Sequence, residues 1–251
     1  MTNIKDEFYI NYSAIPKSYQ RFLMGFIPLV VLGAIAFGII LPKVHDQFNS
    51  GKIQGRFDIE GLLVAKPVPH LIVPRPGNVM SHAPFSRYVL TGPGKEAPRA
   101  NVLENVGKWV KLNGTLVSRN QLSVIAARSA EAIEPPENIK ITPDAGTSLG
   151  EYSLKGEILD SKCYPGVMKP GQTKTHRACA IRCISGGVPA VFRVQNSRDE
   201  VMYFLLADGQ GEAVNDRVLD LVADPIEITG EVIRYDDMYV IKADPASYKR
   251  V

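Results

Sequence analysis

The chain has 251 residues, enough for one large domain or two small ones. Its composition, 45% hydrophobic and 22% charged, is ordinary for a globular protein, and a formal charge of +3 is only mildly basic. No run of five or more basic residues occurs, which argues against a nucleic-acid-binding arm, and three cysteines are too few for a disulfide-rich scaffold.

The first predicted element is a transmembrane helix at residues 22–42. The stretch from Phe22 to Leu41 contains no charged residue, and its 20 residues would span roughly 30 Å as a helix, the thickness of a bilayer core. A cleaved signal peptide would have a shorter apolar run, of about 7–15 residues. A buried helix of a soluble protein is the other alternative. We predict a single-pass anchor.

The N-terminal tail, residues 1–21, precedes this anchor. Its aromatic residues would lie at the membrane surface and contact partner subunits: Phe8, Tyr9, Tyr12 and Tyr19. Three basic residues precede the span and three follow within a similar distance, so the positive-inside comparison is a tie. Only the closest charges favour a cytoplasmic N-terminus, and charge alone does not fix the orientation.

Two segments after the anchor share one pattern. Residues 107–127 and 223–243 both alternate apolar and polar residues, pause at a polar turn, and alternate again, which predicts a β-hairpin with one buried face. A constant offset of 116 aligns Leu112 with Ile228. Upstream, Gly61 aligns with Gly156 at an offset of 95, so the second copy carries roughly twenty extra residues.

We interpret these copies as two β modules. Short strands with a brief helix before the last hairpin fit a small OB-like barrel. The predicted fold is mainly β: one N-terminal transmembrane helix followed by two tandem OB-like β-barrel modules, at residues 43–134 and 151–251, with a linker at 135–150. OB folds often bind nucleic acids or saccharides, but no stripe of basic and aromatic residues supports either ligand here.

The segment of the second module that contains the extra residues, 160–192, holds all three cysteines of the chain. Residues 175–184 predict a helix that ends at the following Ser-Gly-Gly. On this helix His176, Cys179 and Cys183 are spaced three and four apart and lie on one side. Prolines and glycines let the loop with Cys163 fold back. The four residues could converge as a cluster of three cysteines and one histidine that binds a metal ion or an iron–sulfur cluster.

The spacing of the cysteines, C-x15-C-x3-C, matches no common zinc or ferredoxin motif, so two other interpretations stay open. Outside the cytoplasm, a disulfide from Cys163 to Cys179 or Cys183 would close a loop of roughly 17–21 residues and stabilise the chain by about 3 kcal/mol. A thiol-exchange role is the third interpretation, because nearby cations would favour the thiolate. These cations are Lys162, Lys169, Lys174, Arg177 and Arg182.

Other catalytic signals are weak. His70 and His82 flank Met80 in the first module, and although a copper site is conceivable there, a plain loop is favoured. The sequence contains no Ser-His-Asp signature, Walker loop, G-x-G-x-x-G or H-E-x-x-H motif.

The second module resembles a group of small exported bacterial proteins with an OB-like domain. Their shared pattern reads D-x-x-C, a glycine-rich loop, H-x-x-C-A-x-x-C and G-x-P. In this chain it falls on Gly156, Glu157, Asp160, Cys163, His176, Cys179, Ala180, Cys183, Gly187 and Pro189. The resemblance implies an extracytoplasmic location and no particular activity, and the first module would be a degenerate copy without the cysteines.

Together these features predict a membrane-anchored accessory or assembly subunit of a membrane complex, on the periplasmic side of a bacterial inner membrane and without its own catalytic site. A respiratory or electron-transfer complex is the first candidate. The expected partners are its other subunits and the lipid bilayer, with no nucleic acid, and no cofactor is firmly predicted. The alternative is a metal-binding or thiol-redox domain that uses Cys163, His176, Cys179 and Cys183.

Overall fold

A computed structural model describes residues 16–46, 48, 51–75, 84–143 and 146–251. Most of the predicted aromatic tail (Phe8, Tyr9 and Tyr12) and the pair Met80 and His82 lie outside the described residues. The chain divides into two compact units, Met1–Gln47 and Phe48–Val251.

The first unit contains helix α1, Lys17–Asp46. Its 30 residues extend about 45 Å at 1.5 Å per residue. The part from Tyr19 to Asp46 is apolar, and none of its most apolar stretch is buried. The helix is therefore long and apolar enough to cross a membrane, as predicted, and it extends beyond residues 22–42 at both ends.

Five strands close a first barrel in the second unit. They are β1 (Lys52–Val64), β2 (His70–Pro74), β3 (Phe85–Thr91), β4 (Trp109–Arg119) and β5 (Leu122–Ala132). Their order is β1-β2-β3-β5-β4, and β4 pairs back onto β1. Helix α2, Ala100–Leu103, lies between β3 and β4. Val110 and Leu112 alternate with exposed Lys111, which gives β4 the period of two that a half-buried strand requires.

A second barrel repeats this order. It contains β6 (Thr147–Asp160), β7 (Ala190–Gln195), β8 (Val201–Ala207), β9 (Pro225–Tyr235) and β10 (Met238–Lys242). The strands follow the order β10-β8-β7-β6-β9, and β10 pairs with β9 to close the barrel. A short strand β11, Lys249–Arg250, adds to β9. Helix α3, Thr173–Ser185, lies between β6 and β7. The prediction of two OB-like barrels after one apolar helix is confirmed.

The two barrels share details of register as well as strand order. In both, the third and fifth strands are parallel and all other pairings between the barrel strands are antiparallel. The predicted hairpins β4–β5 and β9–β10 turn at Asn120 and Asp236, which are equivalent at the offset of 116 and have φ of 52° and 53°. Strand β6 begins at Thr147, inside the predicted linker, because its first residues already pair with β9.

The barrels pack against each other through one apolar cluster. Val89 and Val124 of the first barrel pack in the same cluster as Val191, Leu205 and Val240 of the second. Ion pairs border this interface, including Arg87 with Asp236 at 2.8 Å. The contact joins the β3–β5 side of one barrel to the β8–β10 side of the other, and both barrels belong to one compact unit.

Candidate functional site

The cysteine segment occupies the connection between β6 and β7, residues 161–189. The equivalent connection of the first barrel, between β1 and β2, consists of residues 65–69 alone. The predicted helix within the segment is confirmed as α3. The insertion is therefore a loop and a helix added at one end of an otherwise repeated barrel.

Helix α3 ends at the predicted glycines. Gly187 has a φ of +92°, a left-handed conformation that glycine adopts without steric cost. The N–H groups of Gly187 and Val188 donate to the carbonyls of Ile184, at 2.9 Å, and Cys183, at 3.0 Å. These are the two hydrogen bonds of a Schellman motif. They fix the last turn of α3, which carries the fully buried Cys183.

The three cysteine sulfur atoms lie within 4.8 Å of one another. Cys163 Sγ and Cys183 Sγ are 3.5 Å apart and buried, whereas Cys179 is half-buried. All three are free thiols in this structure. A disulfide requires about 2.05 Å between its sulfur atoms, so the predicted bond from Cys163 to Cys179 or Cys183 stays a prediction for the oxidised protein.

The contacts among the thiols give them different acidities. The hydrogen bond between the Cys163 and Cys183 sulfur atoms lowers the pKa of Cys163 to about 7, although burial and the Asp160 carboxylate act in the opposite direction. The same hydrogen bond and burial raise the pKa of Cys183. Burial also raises the pKa of Cys179, against the effect of the Lys95 ammonium. Cys163 is therefore the thiol that loses its proton first.

His176 does not join the sulfur atoms. Among the described residues, the group close enough to hold a metal ion here comprises the three cysteines. His176 is fully buried, and its Nε2 lies 2.7 Å from Oδ2 of the equally buried Asp160. The helical spacing does place His176 on the side of the cysteines, but the carboxylate holds its ring. The geometry thus gives a group of three cysteines beside an Asp160–His176 pair, in place of the predicted cluster that included the histidine.

The Asp160–His176 pair connects the two parts of the insertion. Asp160 Oδ1 accepts the backbone N–H of Lys162, at 3.1 Å, and that of Cys163. The opposite oxygen holds His176 of α3. One carboxylate therefore fixes both the turn that carries Cys163 and the helix that carries Cys179 and Cys183. The Nδ1 atom of His176 is buried and has no hydrogen-bond partner among the described residues.

Two of the predicted cations, Arg177 and Lys162, bind groups other than the cysteines. Arg177 binds Asp224 at 2.7 Å. The ammonium of Lys162 donates to the carbonyls of Gly92 and Gly94 in the first barrel. Burial lowers the pKa of Lys162, against the attraction of the Cys163 thiolate. The predicted positive charge around the thiols is therefore partly taken up by contacts with a neighbouring carboxylate and with backbone carbonyls.

Lys95 places a cation in contact with a sulfur atom, and no pattern in the sequence indicated this contact. Its Nζ lies 3.0 Å from Cys179 Sγ, and this hydrogen bond raises the pKa of the lysine. The two residues are 84 positions apart and belong to different barrels. No spacing rule connects them, so only the packing of one barrel on the other reveals the contact.

His70 has a structural role. It is fully buried at the start of β2, with Nδ1 2.8 Å from the Val68 carbonyl oxygen and Nε2 3.1 Å from Arg87 Nη1. Both ring nitrogens are thus engaged inside the first barrel. The other residues considered for a copper site, Met80 and His82, lie outside the described residues.

No protein-family model, curated protein or solved structure matches the chain. The resemblance to exported bacterial proteins therefore stays a prediction. What the site can do follows from its own chemistry. Three thiols in mutual contact can bind a soft metal ion as thiolates or undergo oxidation by thiol–disulfide exchange.

Proposed function

We propose that the chain is a membrane-anchored accessory protein whose second barrel binds one thiophilic metal ion through Cys163, Cys179 and Cys183. The observation that carries the proposal is the mutual approach of the three sulfur atoms within 4.8 Å. Zn²⁺ and Cu⁺ are the expected ions, because soft thiolate ligands select them over harder cations.

The spacing of the sulfur atoms suits a single ion. With Zn–S bonds of about 2.3 Å in tetrahedral geometry, two sulfur ligands lie about 3.8 Å apart. Cys163 Sγ and Cys183 Sγ, at 3.5 Å, are already near that value. An iron–sulfur cluster, the other predicted occupant, has several iron atoms and needs more widely spaced ligands. Three protein ligands leave a fourth position of a zinc ion for water or for a ligand from a partner.

Metal titration of the reduced full-length chain in detergent tests the proposal. We expect one Zn²⁺ or Cu⁺ per chain, and a thiolate-to-metal charge-transfer band after substitution with Co²⁺. Changing any one of the three cysteines to Ser should abolish tight binding. His176→Gln should retain the charge-transfer band of three thiolates, which separates a site of three cysteines from one that also uses the histidine. Stoichiometric binding that survives the triple Cys→Ser change would refute the proposed site.

Thiol exchange is the second candidate, favoured by the contact between Cys163 and Cys183. The Cys163 thiolate would attack a disulfide of a partner and release one partner thiolate. Cys183, after losing its proton to solvent, would then attack Cys163 Sγ and release the second partner thiolate. Two electrons pass to the partner, which becomes a dithiol on taking up two protons.

Oxidised glutathione and peptide mapping test this second candidate. A disulfide between Cys163 and Cys183 should form, and it should still form after Cys179→Ser. The Cys183→Ser variant should instead accumulate a mixed disulfide at Cys163. Persistence of all three thiols in the oxidising buffer, or a bond that joins Cys163 to Cys179, would contradict it.

The accessory role is supported by α1, whose apolar surface is exposed along its length. A helix of this kind keeps the protein at a membrane, where the other subunits of a membrane complex are within reach. Affinity purification in mild detergent should recover integral membrane subunits together with the chain. A lone monomer in every mild detergent would contradict this part of the proposal. A compartment-sensitive reporter fused after Val251 would test the predicted periplasmic side.

A further inference from the structure

A segment of the first barrel, residues 92–97, lies against the end of α3. The N–H of Ala97 donates to the Gly186 carbonyl at 2.8 Å. A Cβ atom on Gly186 would lie 2.1 Å from the Lys95 carbonyl oxygen, and one on Gly187 would lie 2.8 Å from Ala97 Cβ. The two glycines therefore do more than end the helix, because they make room for this segment of the first barrel.

Lys162 binds the same segment as well. Its ammonium donates to the carbonyl oxygens of Gly92 and Gly94. Lys162 directly precedes Cys163, so the turn that presents the first cysteine also binds the first barrel. Contacts from both ends of the insertion thus fix the position of residues 92–97 over the cysteines.

This placement brings Lys95 to the most accessible sulfur atom. Cys163 and Cys183 are buried, whereas Cys179 is half-buried, and Lys95 Nζ lies 3.0 Å from its Sγ. Three thiolates around a divalent ion carry a net charge of −1. One ammonium in contact with the group makes the assembly neutral, which reduces the cost of keeping it in a poorly hydrated site.

We infer that Lys95 is the charge-compensating residue of the metal site, so that the first barrel completes a site whose ligands all belong to the second. The inference rests on the proposed metal-binding function and adds a partner for the metal–thiolate charge. It also gives the first barrel, which has no cysteine, a role at the site.

The zinc affinity of the full-length chain in detergent tests this assignment. We expect Lys95→Met to weaken Zn²⁺ binding about tenfold, the effect of one unit charge a few ångströms away at a partly solvated site. Lys95→Arg keeps the charge and should restore most of the affinity. Lys108→Met, at an exposed lysine of the same barrel, is the matched control and should bind zinc like the unmodified chain.

Two further measurements separate charge from structure. The zinc affinity of the unmodified chain should depend on ionic strength more steeply than that of Lys95→Met. Salt screens the attraction between the Lys95 ammonium and the metal–thiolate group, and the variant lacks this attraction. Gly186→Ala, which forces residues 92–97 away while keeping Lys95, should weaken binding as Lys95→Met does. Equal affinity of Lys95→Met and the unmodified chain, or failure of Lys95→Arg to restore binding, would overturn the inference alone. Absence of zinc binding by the unmodified chain would overturn the proposed function together with the inference.

Discussion

The two barrels have the same strand order but differ most at one connection. Between β1 and β2 the first barrel uses residues 65–69, whereas between β6 and β7 the second uses residues 161–189. The first barrel closes without cysteines and with a short loop, so barrel closure does not require the insertion. The candidate chemistry is therefore separate from the scaffold and was added at one end of it.

The insertion is held by contacts that have no equivalent within the first barrel. Asp160 ends β6 and holds both the Cys163 turn and His176, whereas the equivalent position at the offset of 95 is Ala65. The loop and helix also rest on residues 92–97 of the other barrel. The repeated scaffold thus contributes to the site in two ways. The end of β6 in the second barrel carries the insertion, and residues 92–97 of the first barrel pack against it.

The largest expected effect tests whether the two barrels unfold together. Leu112→Ala and Ile228→Ala remove equivalent, fully buried side chains from the separate barrel cores. Each should lower the free energy of unfolding by about 2–5 kcal/mol. Because the barrels share an apolar cluster, Ile228→Ala should also move the transition seen by Trp109, the sole tryptophan, in the first barrel.

Urea unfolding of the full chain, followed by Trp109 fluorescence and far-UV circular dichroism, measures both quantities. Coincident transitions in both variants are expected. If Ile228→Ala shifts the circular dichroism while the Trp109 transition stays in place, the barrels unfold independently and the shared cluster does not couple them.

The next largest effect is expected at Asp160, whose equivalent in the first barrel is Ala65. Asp160→Ala leaves two backbone N–H groups, one of them buried, and His176 Nε2 without their acceptor, which should cost about 3 kcal/mol. The reaction of the cysteines with a thiol reagent should accelerate, since Cys163 and Cys183 lose their fixed, buried positions. Asp58→Ala, at an exposed aspartate of the first barrel, serves as the control and should change stability far less than Asp160→Ala does. Continued protection of the thiols in Asp160→Ala would contradict the role given to this carboxylate.

The repeated scaffold could be predicted because its signal is local. Alternation of apolar and polar residues in β4 and β9, with a polar turn after each, is sufficient to predict both hairpins. The insertion helix was predictable for the same reason, since its stop lies in the adjacent Gly186 and Gly187. The contact between the barrels has no such signal, because Val89 and Leu205 look like ordinary strand residues until the two barrels are brought together.

The candidate site was predictable only in part. Spacing along α3 places His176, Cys179 and Cys183 on one side, and the structure brings the cysteines together with Cys163. Spacing does not reveal that the end of β6 presents Asp160 to His176, which removes that ring from the sulfur group. Nor does it reveal Lys95, which reaches Cys179 from the other barrel.

A smaller effect tests a feature that both barrels share. A Cβ atom at Gly61 would lie 2.4 Å from the Ile72 carbonyl oxygen, and one at Gly156 would lie 2.2 Å from the Arg193 carbonyl oxygen. Since a backbone carbonyl cannot easily move aside, Gly61→Ala and Gly156→Ala should each cost about 1–3 kcal/mol. Gly55→Ala, in open space on β1, should change stability by less than about 0.5 kcal/mol. Urea midpoints would show this, and a large effect at only one of the two glycines would mean that the barrels differ in backbone packing here.

The smallest expected effect is a dependence on pH that belongs to the second barrel. Burial alone would raise the pKa of Asp224, but hydrogen bonds from Arg250 and Arg177 outweigh it and hold the pKa below its usual range. A carboxyl whose pKa is depressed by folding stabilises the folded state at neutral pH, and this contribution disappears as the pH falls below about 4. Through Arg177, Asp224 links α3 to the barrel that carries it.

Thermal unfolding between pH 7 and pH 3 should therefore show a steeper acid decline for the unmodified chain than for Asp224→Asn. The variant should be less stable at pH 7 and approach the unmodified chain at the acid end. Asp216→Asn, at an exposed aspartate of the same barrel, is the matched control and should keep the steep decline. Parallel declines for the unmodified chain and Asp224→Asn would mean that Asp224 does not link proton uptake to the folding of the second barrel.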